Sequence, residues 1–284
     1  MFKKLVVYAS FVRLSHSVFA LPFALAGAVF ASRITPLTMQ RVIWIIAAMV
    51  AARSAAMGFN RLVDAHYDAL NPRTALRELP RGAMTKLEAV WFVVITSVAF
   101  IGITYKLGFL CFVLSPVALL IVFWYSLAKR YTCYAQLFLG LAMAVAPVGG
   151  WLAAGGRAGW EPWFLGLAIG TWVGGFDILY ACQDTEFDRD HDLRSIPVRF
   201  GVPVALWISR GMHVLSVWCL IALGLVLHLG FVYLVGVIGV GALLIFEQSL
   251  VRKNDLSKIK RAFDLNGYVA LLYLFVTIVA IYLE

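Results

Sequence analysis

Residues 41–73 read RVIWIIAAMVAARSAAMGFNRLVDAHYDALNPR, an apolar run that becomes densely polar towards its end. The run is long enough to cross a membrane as one helix, for which about 20 residues are needed. Asn60, Asp64 and Asp68 follow at four-residue steps, so on a helix they lie along one face. The stretch therefore predicts a membrane helix that ends in a row of oxygen-bearing side chains.

This row of side chains predicts a bound cation, because three such groups at one helix end repel each other unless a cation lies among them. Pro72 ends the helix, and Arg73 and Arg77 follow closely. Carboxylates beside guanidinium groups suit a diphosphate that is held through Mg²⁺ on one side and through arginine on the other.

The whole chain has the composition of an integral membrane protein. Of its 284 residues, 62% are hydrophobic and 14% are charged, whereas soluble proteins carry roughly 25% charged residues. The formal net charge of +9 does not indicate a nucleic-acid partner. Basic residues collect in the cytoplasmic loops of membrane proteins, which explains the charge without nucleic acid.

The expected fold is an all-α integral membrane bundle, formed as a single domain by residues 1–284. Nine apolar runs are predicted to span the membrane: 14–33, 41–64, 87–105, 108–127, 134–154, 163–182, 203–228, 231–250 and 264–283. Most of the 24 Lys and Arg lie in the N-terminus and after the even-numbered spans. The positive-inside rule then puts the N-terminus and the polar loops 65–86 and 183–202 in the cytoplasm.

A second acidic stretch lies in the second of these loops. Residues 180–192 read YACQDTEFDRDHD, in which Asp184, Asp188 and Asp192 repeat the four-residue step and Tyr180 lies one turn further into the membrane. A solvated helix end explains one such cluster equally well. Two clusters on one face favour a shared ligand, because carboxylates near membrane depth are costly. Facing clusters can hold two Mg²⁺ ions across one diphosphate and neutralise the charge that develops on a leaving group.

The acidic rows and the arginines, in this order, resemble the UbiA superfamily of intramembrane prenyltransferases, and the resemblance covers nearly the whole chain. Further similar segments are YSLAKR (125–130), GFDILYACQD (175–184) and SIPVRFG (195–201). The resemblance implies nine helices around a central cavity open to lipid, with the active site at the cytoplasmic side. It also implies Mg²⁺-dependent transfer of a prenyl group from a prenyl diphosphate to an aromatic or other lipophilic acceptor.

The resemblance assigns two sets of site residues. The shell around Mg²⁺ and diphosphate would comprise Asn60, Asp64, Asp68, Asp184 and Asp188. The residues that contact the diphosphate end of the donor directly would be Arg73, Arg77, Tyr125, Lys129 and Tyr180. Ionisation of an allylic diphosphate gives a carbocation, which must be kept from water and is stabilised by aromatic rings such as that of Tyr180.

Two further residues are candidates for catalysis. Arg13 opens RLSHSVFALPFAL (13–25), which is similar to the bacterial 4-hydroxybenzoate and menaquinone-pathway branch of the family. Arg13 either lies at the membrane interface or pairs with a carboxylate of the acceptor. Asp177, about two turns inside the sixth span, pairs with Arg53, takes part in proton removal from the acceptor, or joins the diphosphate shell.

The sequence thus predicts transfer of a polyprenyl group from polyprenyl diphosphate to an aromatic acid, with 4-hydroxybenzoate as the favoured acceptor. The reaction would belong to quinone biosynthesis and take place in a bacterial inner membrane. A dihydroxynaphthoate acceptor, as in menaquinone biosynthesis, stays open. An alternative from another class of protein is a secondary transporter, which would bind a coupling cation at its acidic helix ends. Clustering of the acids at one face rather than at the midplane disfavours transport. Prenyl chain length and oligomeric state stay open.

Overall fold

The computed structural model describes residues 2–12, 20–157, 159–252 and 255–283. Within these ranges the regular structure is helical, and the β-type pairing is confined to an isolated bridge between Arg252 and Asp255. The predicted all-α class is therefore confirmed.

The described ranges contain α-helices joined by short connections. They are α1 (Phe2–Phe11), α2 (Leu21–Ala31), α3 (Met39–Leu70), α4 (Lys86–Leu107), α5 (Phe109–Tyr131), α6 (Ala135–Ala153), α7 (Glu161–Ala181), α8 (Thr185–Asp190), α9 (Ile196–Val226), α10 (Phe231–Leu250) and α11 (Ile259–Tyr282). A 3₁₀ turn, Cys182–Asp184, joins α7 to α8.

In the described part of the chain, eight helical segments are long and apolar enough to cross a membrane. The first expected span, 14–33, is the exception. Residues 13–19 lie outside the described ranges, and the rest of this span contains α2, which has 11 residues. The membrane-bundle architecture is confirmed, whereas the count of nine spans is not.

The helix that carries the first acidic row is longer than expected. α3 has 32 residues and ends at Leu70, because Pro72 disfavours the helical conformation at Asn71. The chain then returns through residues 71–85 to α4. Thr85 and Glu88 form a capping box there, in which each side chain accepts a hydrogen bond from the other residue's backbone N–H. The last turns of α3 are thus held beside an ordered loop.

The second acidic stretch does not form one continuous helix. α7 ends at Ala181, the 3₁₀ turn follows, and α8 is only six residues long. Asp192 lies beyond α8 and has a positive φ of 55°. The four-residue step in the sequence therefore does not continue as one helical row to Asp192, because a 3₁₀ turn and a left-handed residue interrupt the helical period.

Tight packing of α2, α6 and α7 forms one wall of the bundle. A Cβ atom on Gly150 of α6 would lie 1.9 Å from the carbonyl oxygen of Ala24 in α2. One on Gly140 would lie 2.3 Å from the carbonyl oxygen of Gly170 in α7. Only glycine allows these backbones to approach so closely.

A cavity of about 980 Å³ lies between this wall and the helices α3, α4 and α5. At one end it reaches Arg53, Asn60, Tyr125 and Asp177. The predicted central cavity is thus present, and one end of it meets the charged side chains.

Candidate active site

The two acidic stretches meet at one end of the bundle, called here the polar end, which comprises residues 64–85, 129–135 and 182–195. Arg73 connects them: its Nη2 lies 2.6 Å from Asp184 Oδ2, and its Nη1 donates to the Tyr180 hydroxyl at 2.7 Å. The guanidinium carbon also lies 5.3 Å from the centre of the Tyr180 ring. The loop after α3 and the end of α7 therefore contribute to one site.

On the α3 side, both acids are held by cations of the chain itself. Asn60 Nδ2 donates to Asp64 Oδ2 at 3.0 Å, and Arg130 Nη2 lies 3.1 Å from Asp64 Oδ1. Arg77 Nη1 donates to both carboxylate oxygens of the buried Asp68, at 2.6 and 2.8 Å. These contacts relieve the repulsion that the sequence predicts along this row.

On the α8 side, Asp188 is only 2% exposed and pairs with Lys129, whose Nζ lies 3.3 Å from Oδ2. Lys129 and Arg130 are consecutive residues at the end of α5, so one helix end contacts acids of both α3 and α8. The backbone N–H of Arg194 donates to the Lys129 carbonyl at 2.7 Å. This bond holds the end of α5 against the segment that leads into α9.

Four acids of the two acidic stretches are each paired with a cation. The four pairs are Asp64–Arg130, Asp68–Arg77, Asp184–Arg73 and Asp188–Lys129. An added cation alone, or an added anion alone, upsets this balance at the edge of a low-dielectric cavity, where uncompensated charge is costly. A divalent cation that binds together with a diphosphate nearly preserves the balance of charge.

The side chains fit a Mg²⁺ ion that is bound together with a phosphate group. Among the described residues, no three His, Cys, Asp or Glu side chains converge as a ready-made metal cage. Mg²⁺ does not need one, because proteins usually bind it through one or two carboxylates, substrate phosphates and water. Asn60, Asp64 and Asp188 offer the amide and carboxylate oxygens that suit this ion.

The cavity wall beside the acids carries a cation, Arg53, that forms no ion pair with any acid among the described residues. The Nε atom of Arg53 is buried and has no hydrogen-bond partner. Both Arg53 and Asp177 line the cavity, and no ion pair between them is found in the described part of the chain. The expected structural pairing of Asp177 with Arg53 is therefore not observed.

Most of the predicted site residues lie together at the polar end or on the adjoining cavity wall, and their roles stay predictions. Arg13 lies outside the described residues. Sequence reasoning gave no role to Arg130, although its side chain bonds Asp64. Its position directly after Lys129 was the available signal.

The fold and the site together define a class of protein. A bundle of apolar helices encloses an apolar cavity, and the cavity ends at paired carboxylates, arginines and a lysine. Such a site suits molecules with a long hydrocarbon part and a strongly anionic head group.

Comparison with known proteins is consistent with this class. The UbiA prenyltransferase family matches residues 20–278. A 4-hydroxybenzoate octaprenyltransferase of Vibrio vulnificus (strain CMCP6) is 30% identical over 223 residues, which cover 78% of this chain and 78% of that protein. The apo structure of a UbiA homologue from Aeropyrum pernix K1 has a TM-score of 0.85 and 33% identity, covering 93% of this chain and 98% of that one.

A third relative was solved with ligands. The structure of a UbiA homologue from Archaeoglobus fulgidus bound to GPP and Mg²⁺ has a TM-score of 0.73 and 20% identity, covering 96% of this chain and 99% of that one. At this identity the likeness concerns the fold. The family match decides the membership: this chain belongs to the UbiA prenyltransferase family and is a membrane prenyltransferase. The expected family and enzyme class are confirmed, and the transporter alternative is not supported.

Proposed function

We propose that this prenyltransferase transfers a polyprenyl group from polyprenyl diphosphate to 4-hydroxybenzoate, with Mg²⁺, at the polar end of the bundle. The observation that carries the proposal is the continuity of the cavity with the charged site. Asn60 belongs to both, since it lines the cavity and bonds Asp64. A donor with its tail in the cavity has its diphosphate among the paired charges.

The cavity wall supports a hydrocarbon tail. Hydroxyl groups on this wall already donate to carbonyls of their own helices: Thr104 to Ile101, Ser115 to Phe112, and Thr171 to Leu167. The wall is otherwise built mainly from Ala, Leu, Val, Met and Gly residues. Because these hydroxyls are already bonded, the wall suits an apolar chain better than a polar substrate.

The charged pairs support binding of the diphosphate head. Asn60, Asp64, Asp68, Asp184 and Asp188 would hold Mg²⁺, which supplies positive charge to the departing diphosphate. Arg73, Arg77 and Lys129 would then turn from their carboxylates to phosphate oxygens, a geometry that guanidinium groups favour. Tyr125 lies on the cavity wall beside them, and Tyr180 bonds Arg73. The acids lose one set of cations and gain another, so the charge stays balanced.

Arg53 supports an aromatic acid as the acceptor. Arg53 lines an apolar cavity, where a carboxylate of the acceptor would neutralise its charge. Asp177 lies on the same cavity wall and would receive the proton, or a hydrogen bond, of the acceptor hydroxyl. The prenyl C–O bond breaks with its electron pair on the diphosphate, and a ring carbon bonds to the prenyl C1. That ring carbon then loses its proton to the released diphosphate, which restores the aromatic ring, and a hydroxyl proton taken up by Asp177 returns to the acceptor oxygen. Arg13 remains a further candidate for the carboxylate.

The curated relative acts on 4-hydroxybenzoate according to its name, which supports this acceptor over a dihydroxynaphthoate. The charge distribution along the chain supports a cytoplasmic polar end, and we propose the bacterial inner membrane as the location.

The test crosses acceptors with donors. Purified protein is incubated with Mg²⁺, prenyl diphosphates of several lengths, and either 4-hydroxybenzoate or 1,4-dihydroxy-2-naphthoate, and the products are identified by mass spectrometry. We expect prenylated 4-hydroxybenzoate and its loss in the presence of a chelator. Product from the naphthoate alone would replace the proposed acceptor, and an absence of product with every pair would refute the proposal.

A further inference from the structure

Arg130 differs from the other cations of the polar end in how it is anchored. Its Nη2 donates to the backbone carbonyl of Val63 and lies 3.1 Å from Asp64 Oδ1. Its guanidinium carbon lies 5.5 Å from the centre of the Tyr67 ring. All three contacts are with α3, so Arg130 joins the end of α5 to the turn of α3 that carries Asp64.

The other three cations have only side-chain partners. Lys129 bonds Asp188, Arg77 bonds Asp68, and Arg73 bonds Asp184 and Tyr180, in each case through side chains only. Among the four cations paired with these acids in the described structure, Arg130 is the one whose side chain also bonds a backbone carbonyl. A backbone carbonyl within a helix does not move away when a ligand enters. Arg130 therefore keeps this partner when the other three cations leave their acids to bind the ligand.

Arg130 and Asn60 together restrain the Asp64 carboxylate. Arg130 contacts Oδ1, and Asn60 Nδ2 donates to Oδ2 at 3.0 Å. Each carboxylate oxygen accepts more than one bond, so both oxygens remain able to bind a metal ion. Their direction is limited by the two partners, as in many metal sites where outer contacts orient the ligating carboxylate.

We propose that Arg130 is a positioning residue for metal binding: it stays on Asp64 and Val63 when the site is loaded and fixes the Asp64 carboxylate towards the ion. Arg73, Arg77 and Lys129 instead turn to the phosphate oxygens. Before a ligand binds, the dipeptide Lys129-Arg130 contacts acids of both α8 and α3, and only the contact of Arg130 with α3 persists in the loaded site. This inference rests on the proposed Mg²⁺–diphosphate site.

The experiment measures metal binding without turnover. Mn²⁺ replaces Mg²⁺, inorganic diphosphate is held at a saturating concentration, and protein-bound Mn²⁺ is measured by equilibrium dialysis, in which the Mn²⁺–diphosphate in solution has the same concentration on both sides of the dialysis membrane. For Arg130→Gln we expect affinity for Mn²⁺ to fall by about 10- to 100-fold, the range found when outer contacts of metal ligands are removed. For Arg130→Lys the affinity for Mn²⁺ should fall less. An ammonium group keeps the charge but lacks the planar guanidinium donors that bond the carboxylate and the backbone carbonyl together.

Two controls make the result specific. Arg81→Gln removes an exposed arginine from the loop at the same polar end and should bind Mn²⁺ like the wild type. Thermal unfolding midpoints show whether Arg130→Gln is folded, and if it is not, the comparison uses Arg130→Lys against Arg81→Lys.

The outcomes separate this inference from the proposed function. Wild-type affinity for Mn²⁺ in both Arg130 variants, beside normal binding by the wild type, would overturn the role of Arg130 alone. Weaker diphosphate binding in metal-free buffer with unchanged Mn²⁺ affinity would make Arg130 a phosphate ligand and also overturn it. A wild type that binds no Mn²⁺ with diphosphate would refute both proposals.

Discussion

Arg73 and Asp184 join two parts of the chain that are 111 residues apart, with Nη2 2.6 Å from Oδ2. The arginine follows the end of α3, and the acid lies in the 3₁₀ turn after α7. Their contact brings the two acidic stretches to one ligand-sized region at the end of the cavity. The predictions below depend on this arrangement.

Removal of one acid charge should nearly abolish turnover. Asp64→Asn and Asp188→Asn keep the shape of the side chain but lose the charge, and we expect kcat to fall by roughly 100-fold or more, as for other groups that stabilise transition-state charge. Excess Mg²⁺ should restore little of the lost kcat. Asp190→Asn, which changes an exposed acid of α8, is the control in the same assay. A wild-type rate in either variant would contradict the metal assignment.

Loss of the Arg77 guanidinium should mainly weaken donor binding. Arg77→Ala removes one proposed contact to the diphosphate, and we expect KM for the prenyl diphosphate to rise about tenfold, in keeping with the loss of one charge-assisted hydrogen bond. The KM for the acceptor should change little. Because Asp68 loses its partner, Arg77→Lys serves as the matched variant that keeps the charge. A change confined to the acceptor KM would argue against this role.

A larger side chain in the cavity should change the preference for donor length. Gly149 lines the cavity in α6, and an added Cβ meets no atom within 4 Å. Since it lies 14 residues from Ala135 at the polar end, or about 21 Å along the helix, Gly149→Leu should obstruct the far part of the cavity. We expect kcat/KM to fall about tenfold more for an octaprenyl than for a geranyl donor.

The control for this change is Gly102→Leu. Gly102 also has open space around its Cβ position, but it lies outside the cavity lining. Both variants place leucine in a helix interior, so an equal effect on both donors in both variants would mean that the cavity does not hold the tail.

Arg53 should decide the preference for a carboxylate on the acceptor. We compare 4-hydroxybenzoate with 4-hydroxybenzamide in the wild type and in Arg53→Met. The wild type should prefer the acid, and Arg53→Met should lose about tenfold or more of that preference, because the carboxylate then lacks its cation. The donor KM should stay unchanged. An undiminished preference in Arg53→Met would move the carboxylate site elsewhere, with Arg13 as the next residue to change.

Several features were predictable because they depend on local pattern. The apolar runs are as long as a membrane requires, so eight of the expected spans coincide with the eight helical segments of the described chain that are long and apolar enough to cross it. The break before Pro72 follows from the geometry of the residue preceding proline. The four-residue step from Asn60 to Asp64 is real, and the two side chains are bonded.

Other features were not predictable from local pattern. The acids at 184 and 188 have helical spacing, yet the backbone between α7 and α8 turns through a 3₁₀ segment, which the spacing cannot reveal. The pairing of Asp177 with Arg53 was plausible because a buried acid prefers a nearby cation. In the structure both side chains face the cavity instead.

The sequence by itself determined that the chain is a helical membrane protein, where its acids and cations lie along the chain, and to which family it belongs. These depend on composition, period and order. Only the tertiary structure decided which cation pairs with which acid, for example Arg130 with Asp64 across 66 residues, and that Arg53 faces the cavity. Each acid had several candidate cations, and ion pairing acts over a few ångströms, so the choice follows from how α3, α5 and α7 pack.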